Sequence, residues 1–415
     1  MNDRFLNEAF LTRQPILDQQ QALVGYELLF RRSVDAPDGG GQAREETAAV
    51  VCAAYAELGM RSALGKNRAF IRVGGDFLHD DAIELLPPDG VVFELTLDAA
   101  PDQAALDRCR TLRQRNYALA LADYRGLDER SRPLLSLLDI VKIDIARLDE
   151  ATLHDLAGSL QRLPLKLLAQ GVDTREQMER CRDNGFKLFQ GNYFAQPEIV
   201  GGRRLSATQS SLIRLINLTG RDADTVVLED AFKHEPALTL NLLRIVNAVG
   251  SGLVQRISSL RHAITLLGRR QLQRWLQLLL MTPEGGAADA TRSPLLQVAA
   301  LRGRMMELLA RKQSPRDNKL ADLAFIAGIM SMMPAALGLP MNEILEQIAM
   351  EPEVLQALAA REGPLGQLLA LLECFDAGDA AGCDELLGRL PGNIDRATLN
   401  TFLAEALRWV QGSAG

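Results

Sequence analysis

VVFELT (91–96), YALALADY (117–124) and IVKIDI (140–145) decide the fold. Each is a short apolar run rich in Val, Ile and Leu that closes on a polar or charged residue. The same texture recurs at VGYELLFR (24–31), KLLAQGV (166–172) and FKLFQGN (186–192), and RAFIRVGGD (68–76) reads as a further strand. The stretches between the runs read as helices. Strands that are apolar along both faces and alternate with helices predict a parallel sheet covered on both sides, closed into a (β/α) barrel. The chemistry of such barrels sits at the carboxyl ends of the strands, which brings Glu27, Glu94, Asp123, Lys142, Asp144, Gln170 and Gln190 to one pocket.

Several carboxylates around one pocket repel one another unless cations sit among them. Oxygen donors of this kind suit magnesium or manganese better than zinc. A paired-metal phosphodiesterase would use such a site to generate hydroxide and to clamp phosphoryl oxygens.

The ordered motifs QPI (14–16), YELLFR, FELT, LADY, VKID, AQGVDT and FQG resemble the EAL domain, the barrel that hydrolyses the bacterial second messenger cyclic di-GMP, over roughly the first half of the chain. The resemblance implies metal ligands, and several positions depart from it. The Glu of the defining triplet is kept as Glu27, but Leu28 and Leu29 follow it. Arg72 stands where active members carry a metal-binding Asn, and a guanidinium has no lone pair to give a cation. Ala122 precedes Asp123 where two Asp are usual, Gln170 replaces a ligating Glu, and a loop-ordering Glu is shortened to Asp173.

Losing one well-placed electrostatic stabiliser costs roughly 100- to 1,000-fold in rate. The resemblance with these departures therefore implies an inactive relative, with no catalytic residues, no metal and no cofactor; Mg or Mn enters only if phosphodiesterase activity survives. Two readings of Arg72 stand side by side: an ion pair with Glu27, Glu94 or Asp144 in place of the lost metals, or a side chain that snorkels to solvent. Gln14, Arg31 and Gln190 match residues that touch the nucleotide in active relatives. Without metals, binding of cyclic di-GMP is expected to be weak.

From about residue 205 the strand rhythm stops and apolar residues recur at helical spacing, as in LIRLINL (212–218) and LQRWLQLLLM (272–281). HEPALTLNLLRIVNAV, ISSLRHAITLLGRRQL and FIAGIMSMMPAALGLPMNEIL resemble the HDOD domain, a helical module related to the HD metal phosphohydrolases without their ligands; Ser331 and Met332 stand where an HD enzyme presents its His-Asp pair. His79, His154, His234 and His262 are the only histidines, and none lies in a metal-binding spacing. The segment 357–379 resembles the tail of proteins that join the two domains. The expected division is an EAL-type barrel over 1–200 and an all-helical HDOD domain over 201–415, with PEIVGGRR (197–204) as linker. A last helix from Arg396 to Gln411, N-capped by Asp395, is expected to pack on the helical domain.

A chain of 415 residues exceeds a single core, consistent with two domains. A net charge of −7 argues against a nucleic-acid binder, and GRRQLQRW (268–275) reads as a solvated basic helix face. The glycine-rich stretches at 35–44 and 282–293 read as loops, and the methionines between 305 and 350 as core. The five cysteines show no framework spacing and read as free thiols in a reducing cytoplasm. No signal segment or membrane span is expected. The expected function is non-catalytic signalling through contacts with other signalling proteins, with a homodimer among the assemblies the sequence allows. The alternative is a residual cyclic di-GMP phosphodiesterase or a binding effector.

Overall fold

A computed structural model describes residues 9–32, 67–96, 101–124, 126, 132–195, 205–221, 223–235, 238–239, 242–243, 246, 259–281 and 293–413. The linker at 197–204, the loop at 35–44, nearly all of 282–293 and Cys52 lie outside them. The chain divides into two compact units, one of Met1–Gln196 with Ala370–Gly415 and one of Pro197–Leu369.

The first unit holds a closed eight-stranded barrel in sequential order. Its strands are β1 (Ala9–Asp18), β2 (Leu23–Arg32), β3 (Arg68–Gly74), β4 (Val91–Thr96), β5 (Ala118–Leu121), β6 (Ile140–Asp144), β7 (Lys166–Gln170) and β8 (Leu188–Gln190). The pairs from β2 to β8 are parallel, but β1 runs antiparallel to both β2 and β8, which corrects the all-parallel expectation. The cause is the short connection between β1 and β2, since parallel strands need a crossover of a dozen or more residues. Asp18 Oδ1 holds that turn by accepting from the backbone N–H of Gln20 at 2.9 Å and of Ala22 at 2.8 Å. Gln21 supplies the positive φ the reversal needs.

One apolar layer fills the barrel. Ile16, Phe70, Val92, Ala120, Ile140, Leu168 and Leu188, each from a different strand, form a single buried cluster. β2 contributes Gly25, where an added Cβ would stand 2.4 Å from the Arg68 carbonyl oxygen and 2.9 Å from the Phe70 ring. The layer leaves no room for a side chain there. Because alternate strand residues share a face, the next inward position on each parallel strand lies two residues on, and on the antiparallel β1 two residues back. This rule gives Gln14, Glu27, Arg72, Glu94, Ala122, Lys142, Gln170 and Gln190. A polar layer is thus stacked directly on the apolar one.

The other faces of the strands are also buried, at Ile71, Phe93, Leu119, Val141, Leu167 and Phe189, in keeping with a helix-wrapped barrel. Helices Gln103–Gln114, Glu150–Leu160 and Arg175–Asp183 each begin on a side-chain cap, Asp102, Asp149 and Thr174 respectively; Thr174 forms a full capping box with Gln177.

The second unit is helical. Helix Pro294–Gln313 packs against helix Asn318–Met330 through Gly303 and Gly328, where a Cβ on Gly328 would lie 2.7 Å from the Gly303 Cα. The stretch Asn318–Leu337 is long and apolar enough to cross a bilayer, but most of it is buried within this unit, as suits a core helix. Met305, Met306, Met330, Met332 and Met333 are buried with it.

Two expectations need correction. Helix Arg396–Ser413 starts where expected, with Asp395 Oδ1 accepting from Thr398 N–H at 2.8 Å, and it buries Leu399, Leu403 and Ala406. It contacts β1 and belongs to the barrel unit rather than to the helical one. Its apolar stripe announced a partner without naming it. The basic stretch 268–275 is also not a simple solvated face: Arg274 is largely buried, its guanidinium stacked 4.1 Å from the Phe325 ring centroid.

Candidate functional site

The polar layer is the candidate site. Glu27, Glu94, Lys142 and Gln190 are all 1 % exposed or less, so their charges and dipoles must be satisfied within the barrel. Lys142 does most of this. Its ammonium donates to Glu27 Oε2 at 2.7 Å and to both oxygens of Glu94 at 3.1 Å. Gln190 Nε2 donates to Glu27 as well and to Gln14 Oε1 at 2.7 Å. Arg72 Nη2 takes the remaining Glu27 oxygen at 3.2 Å, while Nη1 lies 3.7 Å from Asp123 Oδ2.

Gln14, Glu27, Arg72, Glu94, Asp123, Lys142 and Gln190 therefore form one connected network. Arg72, its side chain 38 % exposed, sits at the outer edge and reaches Glu27, one of the three carboxylates expected for it, and also Asp123. Asp123 approaches from just beyond β5, where its backbone adopts a positive φ that Asp tolerates better than most residues. Asp144 stands in register with Gln170, and Gln170 with Gln190. One Asp144 oxygen accepts from Ala146 N–H at 3.1 Å and so caps the turn after β6. Asp173, shorter than the Glu the resemblance calls for, still ties the loop by accepting from Asn192 N–H at 3.2 Å. Arg31 lies on β2 in register with Phe10, and its side chain is outside the described residues.

The two carboxylates titrate apart. Burial pushes Glu27 up, but the Lys142 ammonium and the Arg72 guanidinium outweigh it and, with hydrogen bonds from Lys142 and Gln190, hold the group down at about 2. Burial also pushes Glu94 up, and the neighbouring Glu27 charge adds to it, so that Lys142 and Arg72 cannot prevent a rise to about 7. The geometry agrees in direction: the ammonium sits closer to Glu27, and one buried cation between two carboxylates favours one charged and one protonated acid.

The sign of the pH dependence follows. A carboxyl whose value rises on folding contributes stability that is full below its unfolded value near 4.5 and is lost as pH climbs through 7. Glu27 acts oppositely, losing its contribution only as pH falls toward 2. Between pH 5 and 8 the Glu94 effect dominates this pair. Urea unfolding of the wild type and of Glu94→Gln at both pH values is expected to show the wild type losing stability relative to the variant as pH rises. A constant difference between them would contradict the assignment.

Among the buried polar atoms without a hydrogen-bond partner in the described residues are Gln170 Oε1 and Gln190 Oε1 of the polar layer and the hydroxyls of Tyr124, just past β5, and of Tyr193, whose ring packs on Phe189 of the outward face of β8. The tyrosines were missed in the sequence, although each stands three residues past the end of its strand, after Leu121 and after Gln190. Burial pushes the Tyr124 phenol up to about 12, so it stays a neutral donor. Among the described residues no cluster of three or more His, Cys, Asp or Glu is arranged to hold a metal ion.

An eight-stranded barrel with one reversed strand and an acidic layer at the carboxyl ends of its strands, on a chain that continues into a helical unit, defines the class. The EAL domain family matches residues 76–197 and the HDOD domain family residues 205–352. The cyclic di-GMP phosphodiesterase CdgJ of Vibrio cholerae is 30% identical over 418 residues, spanning 97% of this chain and 92% of CdgJ. The Bacillus subtilis protein YuxH is 26% identical over 405 residues, 96% of this chain and 97% of YuxH. Among solved structures, the Klebsiella pneumoniae BlrP1 complex with manganese and cyclic di-GMP has 22% identity and a TM-score of 0.35, covering 44% of this chain and 54% of that one. The chain belongs to the EAL–HDOD family of cyclic di-GMP signalling proteins.

Proposed function

We propose that this protein is a non-catalytic member of its family, which signals through contacts with other proteins and whose barrel holds internal cations in place of catalytic metals. The observation that carries the reading is the Arg72 guanidinium on one oxygen of the buried Glu27, at a position where the EAL resemblance calls for a metal-binding Asn, while the Lys142 ammonium takes the other Glu27 oxygen and both oxygens of Glu94.

The donor set does not fit a pair of divalent cations. A metal at Glu27 would have to displace two protein cations already bonded there, with Arg72, Ala122 and Gln170 offering no anionic ligand in exchange. Phosphoryl transfer by two metals needs both ions clamped across the attacking and leaving oxygens, so no step is routed through them here.

A specific observation favours a second role for the barrel, that of a weak cyclic di-GMP receptor. Gln170 Oε1, Gln190 Oε1 and the Tyr124 hydroxyl offer buried hydrogen-bonding atoms still in need of partners, and a base edge supplies both donors and acceptors.

Chromatography of nucleotide products separates the readings. Purified wild type incubated with cyclic di-GMP and either magnesium or manganese is expected to release no linear dinucleotide above a Glu27→Ala control. Metal-dependent turnover above that control would overturn the proposal and identify a residual phosphodiesterase.

A further inference from the structure

We infer that the face shared by helices Arg269–Leu280 and Pro294–Gln313 receives an acidic segment of a partner protein. This rests on the interaction reading above and gives it a surface and a chemistry. Helices 269–280 and 294–313 together carry seven Lys and Arg against the single acid Glu307, in a chain whose net charge is −7. The helical unit therefore bears a basic island on an acidic molecule.

The island is built, not scattered. Glu307 is buried, with its side chain 3 % exposed, and accepts from Arg304 at 2.8 Å, Arg311 at 3.0 Å and Arg274 at 3.4 Å. Asp322 accepts from Arg270 and from Arg274, both at 2.8 Å. Four guanidiniums thus share two carboxylates. The inner pair, Arg274 and Arg304, is 14 % and 18 % exposed and fixed within the network. The outer pair, Arg270 and Arg311, keeps 77 % and 54 % of its surface open.

Arg270 and Arg311 each turn part of the guanidinium inward to a carboxylate and keep the rest in solvent, where a carboxylate of a partner can pair with it. Arg forks anchored at one edge are already oriented for further carboxylates at the other, with less entropy left to lose. A short acidic segment fits a local island. A polynucleotide would carry its dense phosphate charge past the island's edge and onto the acidic remainder of the molecule.

Fluorescence anisotropy with the full-length protein tests this, using as probes a labelled synthetic peptide of Asp, Glu and Leu, its Asn/Gln counterpart, and a single-stranded DNA oligonucleotide. The acidic peptide is expected to bind in a salt-sensitive way and the Asn/Gln peptide not to bind. Arg270→Glu/Arg311→Glu is expected to weaken acidic-peptide binding by on the order of tenfold or more. Charge reversal sets like charges beside Asp322 and Glu307, so a thermal melt checks that the variant is folded, and Arg270→Ala/Arg311→Ala, which adds no like charge, provides a milder second variant with a smaller loss of binding. Equal binding of the neutral peptide, wild-type affinity in both double variants, or tighter binding of the oligonucleotide would each overturn the inference. The nucleotide assay on the same preparation keeps the two claims apart: no peptide binding with no turnover removes this surface alone, whereas turnover removes the non-catalytic reading.

Discussion

Replacing Lys142 with Met is expected to destabilise the barrel by about 3–5 kcal/mol, because breaking a buried ion pair from one side leaves a buried charge uncompensated. Lys142 has no exposed surface, and neither Glu27 nor Glu94 can reach water to compensate for its loss. Hydrogen exchange on β2, β4 and β6 reads the effect in the barrel alone, free of unfolding in the helical unit. The variant Glu27→Gln/Glu94→Gln/Lys142→Met should recover most of the loss, since it removes the three fully buried charges together and leaves the partly exposed Arg72 with Asp123. A single-variant loss below about 1 kcal/mol would show that the ammonium is not the internal counter-ion.

The second large effect is a gain. Arg72→Asn, Ala122→Asp and Gln170→Glu together restore, on β3, just past the end of β5 and on β7, the ligand types that the EAL resemblance calls for. Arg72→Asn removes the cation on the Glu27 outer oxygen, while the two new carboxylates supply the charge a divalent pair requires. The triple variant is expected to hydrolyse cyclic di-GMP with manganese at least about 100-fold faster than wild type, the scale on which single electrostatic stabilisers act in active sites. Arg72→Asn alone should gain little, because two anionic ligands would still be missing. A folded triple variant that neither binds manganese nor turns over would mean that these three departures are not what separates this barrel from its active relatives.

Much of this site was legible along the strands. Val92 before Glu94, Ile140 before Lys142 and Leu168 before Gln170 already place a polar layer one pleat above an apolar one. What period-2 reasoning cannot supply is the pairing across the barrel. The strand pattern brings Lys142 to the pocket without assigning it a partner, whereas in the structure it joins the two buried carboxylates, with Arg72 on Glu27 at the rim. β1 escaped notice because Gln14 and Pro15 interrupt its apolar run; Pro15 is accommodated because the ladder to β8 begins only at Ile16. Helix Arg396–Ser413 and Arg274 misled for a related reason. An amphipathic stripe or a basic helix face fixes which side is buried or charged, but the partner element is decided by packing between segments far apart in sequence.

A manganese titration of the wild-type protein, following the electron paramagnetic resonance signal of the free ion, tests the internal-cation account most directly. The account predicts no manganese uptake that depends on Glu27, so wild type and Glu27→Ala should give superimposable curves at pH 7 and at pH 8. Saturable binding of two ions per chain that Glu27→Ala abolishes would contradict it.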